Sequence, residues 1–159
     1  MAKYLMGIDA GCTSIKAVIF DDKGSVVTSA SKSSKEFPRR GPEFEEFDPI
    51  ANWESCADCI KAAIEKAGID PKDLLGLGIT SFGNGMTVVG ENGEYICPGA
   101  FSTDYRADDC IEMIKKEGNY DKINAATKGN LYSGEPGAII RWLKEHEPET
   151  YAKIGHIFC

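Results

Sequence analysis

Apolar positions along the chain change period from strand-like to helical and back. Tyr4-Leu5-Met6-Gly7-Ile8-Asp9 and Ile15-Lys16-Ala17-Val18-Ile19-Phe20-Asp21 are strand-like runs, and Ser25-Val26-Val27-Thr28-Ser29-Ala30 returns after the turn Asp22-Lys23-Gly24. Three antiparallel strands are predicted. The stretch Ser31 to Pro49, with Pro38, Gly41, Pro42 and the acidic run Glu43, Glu45 and Glu46, reads as a loop or extended arm. From Ile50 to Ala67, Trp53, Ala57, Ile60, Ile64 and Ala67 recur at helical spacing behind the cap signal Asp48-Pro49, and Gly68 ends the pattern.

Leu74 to Thr80 then reads as a buried strand, parallel to the first because a helix carries the chain back to the sheet. A polar break from Ser81 to Gly85 follows, and Met86–Val89 and Tyr95–Cys97 flank Glu91-Asn92-Gly93 as a hairpin. Helices are predicted near Ala107 to Lys116, Tyr120 to Thr127, Pro136 to His146 and Pro148 to Ile154, with Gly155 to Cys159 as a last strand. The fold class is therefore α/β, a mixed sheet of three antiparallel strands plus parallel strands with flanking helices. Trp53, Phe44 and Phe47 read as packing for the long helix and its arm. The chain stops inside an apolar run, and a longer protein is expected.

Bulk composition narrows the function classes. The 159 residues are 42% hydrophobic, enough for one substantial core, and one domain is expected. Eighteen basic against 25 acidic residues, a net charge of -7, argue against nucleic acid or an anionic membrane as partner. Asp9 and Lys16 interrupt the early apolar stretch and no cleavage site follows a charged leader, so the cytoplasm is the expected compartment. Among the six cysteines, Cys56 and Cys59 form a lone C-x-x-C inside the helical pattern, with histidine only at 146 and 156. Reduced thiols are expected rather than zinc or disulfides.

The chemistry concentrates in the turn between the first two strands. Gly11 there can take a positive φ and bring backbone amides close to an anion, and Thr13 and Ser14 add hydroxyl donors. Asp9 would repel a phosphate unless it holds Mg²⁺, directly or through water, so the carboxylate predicts the metal. Lys16 either adds positive charge near the phosphates or lies on the solvent face of its strand. The segment is not a Walker loop, because it continues as a strand and lacks the Gly-Lys-Ser/Thr run. A plain hairpin turn rich in Asp, Gly, Ser and Thr has the same residues.

Gly7-Ile8-Asp9-Ala10-Gly11-Cys12-Thr13-Ser14-Ile15-Lys16-Ala17 resembles the opening of the FGGY carbohydrate kinases, of the actin, hexokinase and Hsp70 superfamily with its ribonuclease H-like core. The resemblance continues through Gly78-Ile79-Thr80, Gly83-Asn84-Gly85, Pro98 to Ala107, Ser133-Gly134-Glu135-Pro136 and Arg141 to Glu149, and is strongest toward the L-xylulose and erythritol kinase branch. It implies that residues 1–159 are the N-terminal part of the first kinase domain, incomplete at the C-terminus and without the second domain. The implied activity is ATP-dependent phosphorylation of a ketopentose or of a four- or five-carbon polyol.

By the same resemblance, Asp9 positions Mg²⁺, and Gly11, Cys12, Thr13, Ser14 and Lys16 surround the ATP phosphates. Cys12 stands where the family usually has Thr, so one hydroxyl is missing. Gly83, Asn84, Asp104, Arg106 and Glu135 are implied on the sugar side, with Ser102 replacing an aromatic residue of the family. The catalytic carboxylate is expected beyond Cys159, so this chain alone is expected to be inactive. Local roles stay open for these residues: Asp104 as a helix cap, Arg106 paired with Asp108 or Asp109, Asn84 in a left-handed turn, and Glu135 at a helix start. A non-catalytic sugar-binding or regulatory protein and a structural ATPase are the rival readings, and a homodimer is left open.

Overall fold

The computed structural model describes residues 3–34 and 37–159. Lys35 and Glu36 of the expected arm lie outside the described residues. In place of one core there are two compact units, residues 3–34 with 49–82 and residues 37–48 with 83–159.

The first unit is a four-stranded sheet, in the order Val26–Ser33, Ser14–Asp21, Tyr4–Ala10 and Leu74–Ser81, covered by one helix. Strands β1 (Tyr4–Ala10), β2 (Ser14–Asp21) and β3 (Val26–Ser33) form the expected antiparallel meander, with β3 running to Ser33 instead of stopping at Ala30. Alternation decides the faces. Met6 and Ile8 of β1 and Ile15, Ala17 and Ile19 of β2 point to one side and are buried with Cys59 and Ala63 of helix α1 (Pro49–Ala67). Ile15 and Ile19 are wholly enclosed, each stabilising the unit by roughly 1.5–3 kcal/mol.

The line of α1 that meets the sheet is not the one its large apolar residues suggest. Ser55, Cys59 and Ala63 are its buried residues, so small side chains let the helix lie close on the strands, and the Cys59 thiol donates to the Ile15 carbonyl at 3.5 Å. Ile60 and Ile64 flank that line half-buried, Ala57 is exposed, and Trp53 is 71% exposed rather than packed. Gly68 ends the helix at a φ of 64°, where a Cβ would be strained.

Strand β5 (Leu74–Ser81) pairs parallel with β1, Ile8 beside Ile79 and Asp9 beside Thr80. It is not buried as the apolar run suggests. Leu75, Leu77 and Ile79 are 61%, 58% and 68% exposed on the edge of the sheet.

In the second unit, part of the expected arm is a strand. β4 (Glu46–Phe47) pairs antiparallel with β7 (Gly99–Ala100), and the backbone N–H groups of Phe101 and Tyr105 donate to the carbonyls of Glu45 and Glu43. Phe47 is buried against Phe101, with ring centroids 4.7 Å apart. The Glu91-Asn92-Gly93 turn forms with Gly93 at φ 81°, but among the described residues its arms meet only through the Val89–Tyr95 bridge and the Gly90 N–H donating to the Glu94 carbonyl at 3.0 Å. β6 (Thr87–Val89) instead pairs antiparallel with β8 (His156–Phe158), which is the predicted last strand. Helices α2 (Asp108–Lys116), α3 (Tyr120–Thr127) and α4 (Pro136–His146) match their sequence patterns, while α5 (Pro148–Tyr151) is a single turn. Cys110, Ile111 and Ile114 of α2 and Ala138, Ile139, Trp142 and Leu143 of α4 close the second core. Six free cysteines carry no disulfide.

Candidate functional site

In the first unit, one cross-strand row gathers the chemistry of the turn. On the face away from α1, Asp9 stands opposite Lys16 on β2 and beside Thr80 on β5, so a carboxylate lies between a cation and a hydroxyl-bearing residue. Asp9 and Lys16 are exposed, and among the described residues no ion pair holds either one. Gly7 and Gly78 hollow the same face, leaving a depression of about 410 Å³ bounded by Phe20, Asp9, Lys16 and Thr80. The Phe20 ring lies over Gly7, where an added Cβ would meet it at 3.5 Å.

The turn itself differs from the sequence expectation in one respect. Gly11 does not adopt a positive φ, and its N–H donates to the Ser14 carbonyl at 3.0 Å, so that amide closes the hairpin rather than facing an anion. Glycine is used here for space, since a Cβ would stand 3.0 Å from the Ser14 oxygen. The Ser34 N–H donates to the Thr13 carbonyl at 2.9 Å and its hydroxyl to the Gly11 carbonyl at 3.4 Å, which ties the turn to the end of β3. Thr13 and Ser14 remain exposed, and partial burial raises the Cys12 thiol above its ordinary value against the lowering effect of its own backbone N–H. An outward carboxylate beside two exposed hydroxyls and a lysine fits a Mg²⁺-bound polyphosphate.

In the second unit, Asp104 and Arg106 meet, but inside the protein. Asp104 Oδ1 accepts from the Arg106 N–H at 3.0 Å and Nε at 2.9 Å, and Oδ2 accepts from the Glu45 N–H at 2.9 Å and Arg106 Nη2 at 2.7 Å. All four lone-pair positions of the carboxylate are taken, and the residue is 1% exposed. Direct contact with a sugar therefore requires one of these bonds to open. Asp104 does not cap α2, whose N-cap is Ala107, and Arg106 pairs with neither Asp108 nor Asp109.

Glu46 and Arg40 complete this network, and the sequence reading missed both. Arg106 Nη2 donates to Glu46 Oε1 at 2.9 Å, and Arg40 reaches the same carboxylate at 2.7 Å and Glu147 at 2.6 Å. Both guanidinium carbons lie over the Phe44 ring, 4.3 Å and 4.5 Å from its centroid, and Phe44 in turn packs edge-on against Trp142. Only the acidic spacing of Glu43, Glu45 and Glu46 hinted at this, and it does not say which carboxylate is buried.

The remaining positions expected on the sugar side lie on loops of the same unit. Asn84 is exposed at a φ of 59°, the left-handed turn its residue type tolerates. Gly83 beside it is open, with no atom within 4 Å of an added Cβ. Glu135 is the N-cap of α4 without a side-chain capping bond. Gly134 before it presses on the Asp104 segment so closely that a Cβ would stand 2.0 Å from the Ser102 carbonyl oxygen. The Ser133 hydroxyl donates to Asp108 and fixes that approach.

An antiparallel three-strand meander, a parallel fourth strand reached through a helix and a carboxylate near the end of the first strand match the ribonuclease H-like arrangement that the sequence resemblance implies. The chain belongs to the FGGY family of carbohydrate kinases: the profile of that family's N-terminal domain matches residues 4–159. It is 32% identical over 154 residues to a probable L-xylulose kinase of Pasteurella multocida, covering 97% of this chain and 32% of that protein. It is 30% identical over 157 residues to the L-xylulose/3-keto-L-gulonate kinase of Escherichia coli, covering 98% and 31%. In structure it resembles a gluconate kinase from Lactobacillus acidophilus with a TM-score of 0.91 at 23% identity, over 99% of this chain and 31% of the other. The chain thus spans about a third of the length of the relatives it matches.

Proposed function

We propose that residues 1–159 form the N-terminal part of the first domain of an ATP-dependent carbohydrate kinase that phosphorylates a hydroxyl of a ketopentose or a four- or five-carbon polyol. The observation that carries this reading is the row Lys16, Asp9 and Thr80 on the open face beside the exposed Thr13-Ser14 turn, in a chain of the FGGY family. The names of the Pasteurella and Escherichia relatives favour a ketopentose such as L-xylulose.

Asp9 is assigned to hold Mg²⁺ through its free carboxylate, and Lys16 to offset phosphate charge from across the strand pair. Thr13 and Ser14 donate hydroxyl hydrogen bonds to phosphate oxygens, while Gly11 and Cys12 keep the turn tight. Mg²⁺-ATP supplies the transferable phosphoryl group and the charge neutralisation that a loose phosphoryl-transfer transition state needs. Asn84, Gly83 and Glu135 face the sugar hydroxyls from their loops. Asp104 and Arg106 act from behind, holding the backbone of residues 101–106 in place. The carboxylate that takes the hydroxyl proton is assigned to polypeptide beyond Cys159. A cytoplasmic setting without nucleic-acid or anionic-membrane partners is part of this reading, argued from the net charge of -7; no described helix is long and apolar enough to span a membrane.

Calorimetric titration of the chain with a non-hydrolysable ATP analogue tests the assignment. Binding that strengthens with Mg²⁺ and loses that dependence in Asp9→Asn is expected. Equal binding with and without Mg²⁺ in both proteins would overturn it. Sugar-dependent ADP release by the polypeptide extended to its relatives' length, screened over pentuloses, erythritol and glycerol, tests the substrate class.

A further inference from the structure

Away from the site just described, three metal-ligating side chains converge where the start of α2 meets the end of α4. An oxygen of Asp109, Sγ of Cys110 and a ring nitrogen of His146 all lie within 4.8 Å of one another. His146 Nε2 is 3.1 Å from Asp109 Oδ2. We propose that Asp109, Cys110 and His146 form a tetrahedral site for a borderline-soft divalent ion, Zn²⁺ by preference, that clips α2 to α4.

Two of the three donors, His146 and Asp109, are already oriented by bonds of their own. His146 Nδ1 is held by the Trp142 carbonyl at 3.2 Å, and its ring stacks on Trp142 at 4.9 Å with an 11° interplanar angle. A histidine donating one nitrogen to a backbone carbonyl presents the other as the metal-binding lone pair, and its orientation is fixed before the ion arrives. Asp109 Oδ1 accepts the Cys110 N–H at 2.8 Å, which leaves Oδ2 turned toward the imidazole. Cys110 is fully buried while Asp109 and His146 are half-exposed, so an ion at their midpoint has the thiolate on its inner side and solvent on its outer side.

One separation, His146 to Asp109, already fits a tetrahedral site, and all three donors lie within 4.8 Å of one another. Ligand bonds of about 2.0–2.3 Å to nitrogen, oxygen and sulfur in a tetrahedron place donors roughly 3–4 Å apart, and both carrier helices belong to the same packed unit. A mixed sulfur, nitrogen and carboxylate set with water in the fourth position suits Zn²⁺ or Co²⁺ over Mg²⁺, which prefers six oxygens. Arg141, the nearby cation, is engaged by Glu117 at 2.7 Å and Glu145 at 2.9 Å, so its charge is offset by its own partners. Binding forms a metal–sulfur bond and releases the thiol proton to buffer. The site pins the segment following Arg106, and it does not depend on the kinase reading.

Co²⁺ titration of the purified chain, followed by the near-ultraviolet thiolate-to-cobalt charge-transfer band and the visible bands of tetrahedral cobalt, tests the proposal. One equivalent should bind with both signatures, and added Zn²⁺ should displace it. Asp109→Asn and His146→Gln, both at half-exposed positions that leave the core intact, should each weaken binding by about tenfold or more. Cys110→Ser, checked for folding by circular dichroism, should lose the charge-transfer band. Unchanged affinity in both Asp109→Asn and His146→Gln, or a charge-transfer band that survives in folded Cys110→Ser, would assign the metal to other thiols such as exposed Cys159 and overturn the site.

Discussion

A single nitrogen of Arg106, Nη2, donates to Asp104 at 2.7 Å and to Glu46 at 2.9 Å, joining a loop on one side of the second unit to the strand that crosses it. Both carboxylates and the guanidinium are almost fully enclosed. This triad is what fixes the Phe101 to Arg106 segment.

Removing one member of a buried charge network strands the others, so Arg106→Ala and Glu46→Ala should each cost about 3–5 kcal/mol of folding stability in urea titrations. Arg40 reaches the same Glu46 but its side chain is 40% exposed. Its replacement by Ala should cost no more than about 1 kcal/mol. Equal costs for Arg40→Ala and Arg106→Ala would show that burial does not set the ranking.

Two nearby glycines should respond in opposite directions to the same change. Gly134→Ala puts a methyl group 2.0 Å from the Ser102 carbonyl oxygen, where backbone must move, and should lose about 1–3 kcal/mol. Gly137→Ala, in the first turn of α4 with no atom within 4 Å, should gain about 0.5–1 kcal/mol by restricting the unfolded chain. Thermal denaturation of the two variants compares them directly.

Burial pushes the Cys97 thiol up to about 11 from an ordinary value of 9.0, with Glu147 adding to the effect and Arg106 opposing it. Between these values the unfolded chain gives up this proton while the native protein keeps it, so this thiol's contribution to stability is full below about pH 9 and falls as pH rises toward 11. Urea midpoints should drop more steeply across that window for the native sequence than for Cys97→Ser. Parallel curves would mean that the thiol titrates as it does in the unfolded chain.

Cys12 offers a gain-of-function test of the proposed phosphate turn. Cys12→Thr restores a hydroxyl to a half-exposed position and should tighten binding of the Mg²⁺-bound ATP analogue by about fivefold, the worth of one hydrogen bond of ~1 kcal/mol. Calorimetry that finds no change would place that side chain away from the phosphates.

Period and punctuation alone determined most of the local structure. The glycine- and hydroxyl-bearing turn between two strand-like apolar runs, Asp48-Pro49 before the long helix and Gly68 after it act within a few residues, so their effects are readable without knowing the fold. The order of separated motifs determined the family for the same reason, because each is a local backbone solution. Burial was decided only in three dimensions. Leu77 and Ile79 look like core but lie on an open edge, Trp53 points outward, and α1 meets the sheet through Ser55, Cys59 and Ala63. Asp104 and Glu46 look like surface carboxylates but are enclosed, because Arg106 reaches Glu46, and the Glu45 N–H reaches Asp104, from a segment distant in the chain. Which charge is buried depends on contacts across up to 60 residues of chain, and no local pattern encodes them.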